Sequence, residues 1–250
     1  MISFLRKLRH SFITQNRFSK YLLYALGEIF LVVIGILIAL QINNWNEDQK
    51  KGTYEQKILT AIKTDLKSSR EEVLKAIDDD GRWRDCIHKI LRYLDQRKPY
   101  EKQLDQCFGS YYWSSTVQFS TSSYEELKNR GVELISNPEL RSKLTDMYDF
   151  KLDVLRSEIE VWDSQLLSST IYPIHTDLFR KYYPESWSLY EDEFASPIDY
   201  EKLMDNEKFK NVLAEIISLR NYSIAANELL EKDIQKLIVD IEKELEELKK

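Results

Sequence analysis

The amino-acid sequence predicts an all-α protein in which a single N-terminal transmembrane helix is followed by an elongated helical bundle or coiled-coil-like domain. Glycine and proline, the residues that most often interrupt helices, number only 6 and 5 in 250 residues. Charged residues make up 31% of the chain and hydrophobic residues 43%, a balance typical of long helices exposed along one face. This length is sufficient for one membrane span and one domain of about 200 residues.

The transmembrane helix is predicted over residues 22–42. Residues 22–40 form a run of 19 residues that is apolar apart from Glu28. At a rise of about 1.5 Å per residue the run is about 28 Å long, close to the thickness of about 30 Å of a hydrocarbon core. A cleaved signal peptide is the rival interpretation, but its apolar region would span only about 7–15 residues and end at a small-residue cleavage site. Because this run is longer and continues into a polar motif at residues 41–45, we expect an uncleaved signal anchor.

Basic residues predict which end of the span lies in the cytoplasm. Residues 1–21 contain five lysines and arginines and no acid, whereas Lys50 and Lys51 are the nearest cations after the span. The positive-inside rule therefore places residues 1–21 in the cytoplasm and residues 43–250 outside it. We expect a single-pass membrane protein whose C-terminal domain lies outside the cytoplasm. Residues 1–13 show the spacing of a short amphipathic helix whose basic side chains contact membrane lipid.

The domain after the span is predicted not to bind nucleic acid. The chain has a net charge of −6 and its N-terminal segment is basic, so the acidic excess falls on residues 43–250. Contacts with nucleic-acid phosphates need clustered lysine and arginine instead. Besides membrane lipid, the expected partner is a second copy of the chain or another transmembrane helix.

The carboxylate inside the span shares a helix face with small residues. At about 100° per residue, Tyr24, Glu28, Val32, Gly35 and Ala39 fall within a sector of about 80°. Gly35 and Ala39 form a small-xxx-small pair, which lets two helix backbones approach closely. A charge at this depth costs about 2.5–3.5 kcal/mol on insertion scales. The stripe therefore predicts that the span associates with itself or with a partner helix.

Three roles for Glu28 stay open. In the favoured interpretation it forms hydrogen bonds across a helix interface. In the second it is protonated or ion-paired within an assembly and relays protons. In the third it is a tolerated acid, about two turns from the cytoplasmic end of the span, that is neutral or pairs with Lys20 or a lipid headgroup.

Apolar periodicity and turn signals define the first half of the domain. Residues at three- and four-residue spacing predict a helix that ends in a turn at Asp78-Asp79-Asp80-Gly81, and a second helix over residues 82–97. Residues 109–122, rich in aromatic and hydroxyl side chains, predict a loop or a short extended segment. Ser123-x-x-Glu126 predicts a capping box that opens a short helix, and Gly131 its end.

Two longer helices are predicted in the second half. Asn137-Pro138 supplies an N-cap and an N1 proline for a helix that continues to about Ile171. Residues 172–199 contain three prolines and predict a long structured connection. The final helix, predicted over residues 206–247, carries a heptad-like apolar stripe, which favours coiled-coil or bundle packing within the subunit or between subunits.

The two cysteines, Cys86 and Cys107, fit an oxidising compartment if they are paired. They lie on predicted helices over residues 82–97 and 100–108, nearly level across the hairpin turn between them, so a disulfide is feasible. The alternative is a pair of small buried thiols, because free cysteine is often fully buried.

Catalytic, cofactor-binding and metal sites are not expected, and the chain is predicted not to be an enzyme. His10, His88 and His175 are widely separated, so no Cys/His metal constellation forms. His175 is expected to be a solvated loop histidine, and Asp78-Asp79-Asp80-Gly81 lacks the spacing of a calcium-binding EF-hand. The six glycines never approach a phosphate-binding loop pattern.

Two groups of side chains have a common structural use and a rarer functional one. Paired acids at residues 125–126 and 191–193 are expected to be solvated or to cap helices. Aromatic side chains of two segments are expected to pack loops against helices, with a binding surface as the alternative; they are Tyr111, Tyr112, Trp113, Phe119, Tyr182, Tyr183, Trp187 and Tyr190.

Two segments carry a family resemblance. Residues 18–28, which end in Gly27-Glu28, and the following stretch through Asn43-Asn44-Trp45-Asn46-Glu47 resemble the N-terminal signature of a bacterial family of single-pass membrane proteins of unknown function. Residues 123–141 resemble its second motif. The resemblance implies no activity, but it implies that Gly27-Glu28 belongs to a signature, which favours the interface and relay roles of Glu28.

With this bacterial resemblance, the observations predict a single-pass protein of the inner membrane of a two-membrane bacterium, with a periplasmic C-terminal domain. We expect it to be a membrane-anchored, non-enzymatic scaffold, sensor or assembly component that is oligomeric through its span and its C-terminal helix. An ion- or proton-coupled single-span component that uses Glu28 is the alternative. A periplasmic hydrolase is a third, weaker hypothesis, because no positioned nucleophile or metal site supports it.

Overall fold

The computed structural model describes residues 18–152, 164–184 and 193–249. The chain divides into two compact units, Met1–Tyr54 and Glu55–Lys250. Throughout the described ranges the regular structure is helical apart from one two-stranded sheet, so the predicted all-α class is confirmed. The predicted amphipathic helix at residues 1–13, and most of the basic segment 1–21, lie outside the described residues.

Helix α1, Phe18–Asp95, runs without a break through the predicted turn at residues 78–81. That turn prediction is wrong because buried side chains keep their three- and four-residue spacing across the acidic run, from Val73 to Trp83 and onward. Asp80 itself is a core residue, fully shielded from solvent. Gly81 costs a helix only about 1 kcal/mol relative to alanine, less than burial of this stripe contributes.

Shorter elements follow the long helix. They are a 3₁₀ turn at Lys102–Leu104, α2 at Asp105–Ser110, α3 at Ser122–Arg130, a 3₁₀ turn at Val132–Leu134, α4 at Pro138–Asp146, π-helical turns at Met147–Lys151 and Leu167–Ile171, α5 at Tyr172–Leu178, β1 at Phe179–Tyr182, β2 at Phe194–Pro197, α6 at Tyr200–Met204 and α7 at Glu207–Glu247.

Helix α7 confirms the predicted final helix and packs antiparallel to α1. The Asn206 side chain caps its start by accepting a hydrogen bond from the Phe209 N–H at 3.0 Å. The contacts between the two helices show this direction, because residue numbers fall along α1 as they rise along α7. Lys210 contacts Asp95 at 3.1 Å, Glu231 contacts Arg70 at 2.6 Å, and the Leu248 carbonyl accepts from Gln56 at 2.7 Å.

Both helices bury one side chain at every alternating step of three and four residues. On α1 these positions are 59, 62, 66, 69, 73, 76, 80, 83, 87, 90 and 94, and on α7 they are 209, 213, 216, 220, 223, 227, 230, 234, 237, 241 and 244. This spacing keeps a continuous seam of each helix turned toward the other.

Residues 113–121 form an extended segment along α1, inside the predicted range 109–122, whereas residues 109–110 belong to α2 and residue 122 begins α3. Three side chains of α1, taken from its C-terminal side toward its N-terminus, accept hydrogen bonds from successive backbone N–H groups in or next to this segment. Asp80 accepts from the Ser115 N–H at 3.1 Å, Ser69 from the Ser120 N–H at 3.0 Å, and Asp65 from the Ser123 N–H at 3.1 Å. The predicted capping box at Ser123 is wrong, because the Asp65 carboxylate supplies the acceptor at the start of α3.

Helix starts and stops in the second half follow the sequence only in part. Gly131 ends α3 with φ of 105°, a backbone conformation that favours glycine, and the Asn137 side chain caps α4, as predicted. The helix predicted from Asn137 to Ile171 has π-helical geometry at Met147–Lys151 and again at Leu167–Ile171. Residues 153–163, between these two turns, lie outside the described part.

The predicted connection at residues 172–199 contains regular structure. Helix α5 leads directly into β1, which pairs antiparallel with β2. Gly109 of α2 permits close packing against β2, since a Cβ at this position would lie 2.0 Å from the Glu193 carbonyl oxygen. The aromatic core at this end includes Phe108, Phe179 and Phe209, all nearly inaccessible to solvent.

Candidate membrane span and buried polar clusters

The apolar end of α1 is the most exposed hydrophobic surface that the structure describes. Its most apolar 18-residue window has a mean hydropathy of 2.5, and none of that window is buried. Leu31 is 71% exposed and Phe30 66%. By length and composition this helix can cross a membrane. Water is an unfavourable environment for so continuous an apolar surface.

The four residues proposed for an intramembrane site lie on this exposed helix. Tyr24, Glu28, Gly35 and Ala39 are all solvent-accessible, and helical periodicity places them on one face. A Cβ added at Gly35 would meet nothing within 4 Å, so this face is uncovered within the described part of the chain. The stripe is therefore open to a second helix.

Cys86 and Cys107 form a disulfide that links α1 to α2. Their Cα atoms are 5.1 Å apart, and the bond closes a sequence separation of 21 residues. Cys107 is buried in the same cluster as Ile87 and Phe108. The bond therefore fixes the hairpin between the end of α1 and the aromatic core.

A charged layer interrupts the apolar seam between α1 and α7. Asp80 and Arg220 are both buried, with the Arg220 Nε 3.8 Å from the Asp80 Oδ1. Arg220 also donates from Nε to the Trp113 carbonyl at 3.1 Å. The Trp113 ring meets Trp83 edge-on at a centroid distance of 6.0 Å. Sequence reasoning missed this layer, although Asp80 and Arg220 both fall on the three- and four-residue stripes.

A second polar cluster joins residues 135–137 to the two long helices. The buried Glu55 accepts from both the backbone N–H and the hydroxyl of Ser136, at 2.7 and 2.9 Å. Asn137 donates to Glu244 at 2.6 Å while its own oxygen caps α4. The dipeptide Ser136-Asn137 thus donates hydrogen bonds to two buried acids and also caps the start of α4.

His175 is buried, so its prediction as a solvated loop residue is wrong. It lies on α5 among aromatic rings, stacked on Phe179 at 5.1 Å and edge-on to Tyr112 at 5.0 Å. Burial, with a smaller contribution from the Lys181 charge, lowers the pKa of His175 from 6.5 to about 4. The imidazole is therefore neutral near pH 7.

The predicted aromatic and acidic residues serve packing and hydrogen bonding where they are described. Tyr111 and Tyr112 are core residues, and burial raises the pKa of Tyr112 to about 12. Glu193 binds Lys181 and accepts from the Tyr112 hydroxyl at 3.1 Å, while Tyr182 donates to the buried Asp105 at 2.6 Å. Trp187, Tyr190 and the acids at 191–192 lie outside the described residues.

Metal-ligand chemistry has no cluster among the described side chains. Groups of three or more histidine, cysteine, aspartate or glutamate residues able to hold an ion are absent from residues 18–152, 164–184 and 193–249.

Comparison with known proteins assigns a family without a known activity. A family of unknown function, DUF6090, matches residues 28–171, more than half of the chain. The chain belongs to this family. Its matched range begins at Glu28 in the apolar part of α1 and ends at Ile171, before α5. No curated protein and no solved structure matches the chain.

Proposed function

We propose that the protein is a single-pass membrane protein whose span self-associates, and that it acts as a non-enzymatic scaffold or assembly component. The observation that carries this proposal is the uncovered stripe of Glu28, Gly35 and Ala39 on the exposed apolar part of α1. Small residues at four-residue spacing let helices approach closely, and a carboxyl group between them finds hydrogen-bond partners that lipid does not offer.

The proposed orientation puts residues 1–21 in the cytoplasm of a bacterium with two membranes and residues 43–250 in the periplasm. The five N-terminal cations support this direction. The Cys86–Cys107 disulfide supports it independently, since disulfides persist in the periplasm and are rare in the cytosol. A protease accessibility assay on spheroplasts tests it: access to the domain from outside is expected.

The proposed scaffold element is an antiparallel coiled coil of α1 and α7. Alternating three- and four-residue spacing on both helices supports this assignment, as do the cross-helix pairs Arg70–Glu231 and Lys63–Glu242 at 2.6 and 3.6 Å. An antiparallel coiled coil can hold bound partner proteins at fixed positions, and it needs no catalytic group to do so.

A second copy of the chain is the proposed occupant of the span stripe. The energetic case is modest for Glu28 alone, because hydrogen bonds between transmembrane helices contribute about 0.6–2 kcal/mol. The rest of the association free energy comes from close backbone packing at Gly35 and Ala39, where no large side chain holds the helices apart.

Mass analysis of the detergent-extracted full chain after crosslinking tests the assembly. We expect a discrete oligomer for the wild type and its loss in Gly35→Leu, which places a bulky side chain on the stripe. Gly27→Leu makes the same change about 80° around the helix from Gly35, outside the stripe, and should leave the oligomer intact. A monomeric wild type, or equal behaviour of the two variants, refutes the proposal.

Proton coupling through Glu28 is the second candidate, favoured by the position of an ionisable group in an apolar helix. Glu28→Gln separates the two, because glutamine keeps the hydrogen-bonding capacity and loses the proton. The scaffold proposal expects the oligomer and the proton permeability of reconstituted vesicles to be unchanged. A relay expects an intact oligomer together with a proton flux that is present in wild type and lost in the variant.

A further inference from the structure

One long side of the α1–α7 pair, which we call the open face, is not covered by the other described elements. Arg84 of α1 and Asn221 of α7, 3.1 Å apart, both lie on it. The chain between α1 and α7 instead contacts the opposite side, through Asp65, Asp233 and Asp240. The solvent-accessible positions of the open face are 60, 63, 67, 70, 74, 77, 81, 84 and 88 of α1 and 214, 217, 221, 224, 228, 231, 235 and 242 of α7.

The two halves of the open face carry opposite charge. The charged side chains of the α1 half are all basic, and those of the α7 half are all acidic. They are Lys63, Lys67, Arg70 and Arg84 on α1, and Glu228, Glu231 and Glu242 on α7. The aspartates and glutamates of α1 all lie at positions outside this face. A surface divided in this way is complementary to a copy of itself, provided that the basic half of one meets the acidic half of the other.

The middle of the open face is apolar. Leu74 is 43% exposed, and Ile77 and Ile224 beside it are half-buried. Gly81 leaves an open space, because a Cβ at this position would meet nothing within 4 Å. An exposed leucine alone is ordinary on a protein surface. An apolar centre with a charged rim is instead the arrangement found in protein–protein interfaces.

Two open faces can meet about a twofold axis in two ways. With the axis parallel to the helices, α1 of each copy lies on α7 of the other, so the basic halves meet the acidic halves. With the axis perpendicular to the helices, α1 lies on α1, and the cations around Lys67 and Arg70 face those of the other copy. Like charges held opposite each other are unfavourable, so the charge distribution selects the first arrangement.

We propose that the open face binds the open face of a second copy, so that two helix pairs form a four-helix bundle. Ile77 and Ile224 of both copies lie in its centre, flanked by the charged side chains. Rotation about an axis parallel to the helices keeps each residue at its own level, so Gly81 of one copy lies opposite Asn221 of the other. The contact belongs to the unit Glu55–Lys250 and does not depend on the span.

Disulfide formation between two differently tagged full-length chains in detergent micelles tests this contact. One chain carries Gly81→Cys and the other Asn221→Cys, and both native cysteines are already paired with each other. We expect a mixed dimer on oxidation, because the two positions face each other across packed helices. Arg82→Cys in place of Gly81→Cys moves the thiol by about 100° around α1 and should abolish the mixed dimer.

Three results of this experiment overturn the proposal. The first is the absence of a mixed dimer in the Gly81→Cys and Asn221→Cys pair. The second is an equal yield when Arg82→Cys replaces Gly81→Cys. The third is a dimer of Gly81→Cys with itself in greater yield than the mixed dimer, which shows α1 packed on α1.

A substitution in the apolar centre tests the same contact from the other side. Leu74→Glu places a carboxylate opposite Glu228 of the second copy and should abolish the mixed dimer while circular dichroism stays unchanged. Leu229→Glu makes the same change outside the open face, at a side chain that is 65% exposed, and should retain the mixed dimer. Retention in Leu74→Glu, or loss in both variants, contradicts the proposal.

The outcome is separable from that of the proposed span association. A wild-type oligomer that Gly35→Leu disrupts, together with no mixed dimer between positions 81 and 221, overturns the bundle and leaves the span association in place. A mixed dimer that forms even in chains carrying Gly35→Leu supports the bundle without the span.

Discussion

Acidification is expected to destabilise the domain through His175. Its pKa is lowered to about 4 in the folded chain against 6.5 for the free side chain, chiefly by burial. The unfolded chain therefore binds a proton below pH 6.5 that the folded chain does not bind until about pH 4. The contribution of His175 to the free energy of unfolding has its full value above pH 6.5 and is lost as the pH is lowered from 6.5 to 4.

The size of this effect follows from the shift. At about 1.4 kcal/mol per pKa unit, the whole shift corresponds to about 3 kcal/mol. Partial solvent screening reduces this figure, and we expect a loss of about 2 kcal/mol at pH 4. The charged neighbours are Lys181, which disfavours the imidazolium, and Glu193, which favours it and offsets part of the effect.

Denaturant unfolding of the full chain at a series of pH values, followed by circular dichroism, measures the effect. His175→Phe keeps an aromatic ring in the slot beside Phe179 and should remove the pH dependence between 6.5 and 4. His88→Phe alters an exposed histidine and should preserve it. Carboxyl groups with lowered pKa, such as Asp149, act only at lower pH. A wild-type free energy that is flat over this window, or a His175→Phe variant with unchanged pH dependence, refutes the reasoning.

Three further perturbations probe local packing by the same unfolding measurement. Replacing Cys86 and Cys107 with alanine removes a constraint over 21 residues and should lower the unfolding free energy by about 3 kcal/mol, with no extra loss on adding reductant. Asn137→Ala removes the cap of α4 and the partner of a buried acid, and a loss below about 1 kcal/mol would contradict its double role. Gly109→Ala should lower the unfolding free energy by about 1–3 kcal/mol, because its Cβ meets the Glu193 backbone. Gly81→Ala, in open space on a helix, should raise it by up to about 1 kcal/mol. Equal effects of the two substitutions would contradict the different surroundings of these glycines.

The sequence predicts elements whose signal is repeated over many residues. The final helix, from Glu207 to Glu247, follows from an apolar stripe that recurs for the whole of its length. Asn137-Pro138 predicts a helix start because capping is a local property of two or three residues. Such signals need no knowledge of what lies opposite in space.

The errors come from residues whose role depends on a distant segment. Asp78-Asp79-Asp80-Gly81 has turn chemistry, but Asp80 is buried beside Arg220 and bonds to Ser115, both far away in sequence. Its place on the three- and four-residue stripe was the available signal, and it outweighs local turn preference. His175 carries no comparable signal, because only the packing of α5 against β1 and α2 surrounds it with aromatic rings.

The contact between Gln56 and the Leu248 carbonyl, at 2.7 Å, has a practical consequence for protein engineering. It brings the two ends of the unit Glu55–Lys250 side by side. A segment whose ends meet can be inserted into a surface loop of a host protein without forcing the host apart. Residues 55–248 are thus suited to transplantation as a cassette, and a short linker between the same ends would allow new termini to be opened elsewhere in the domain.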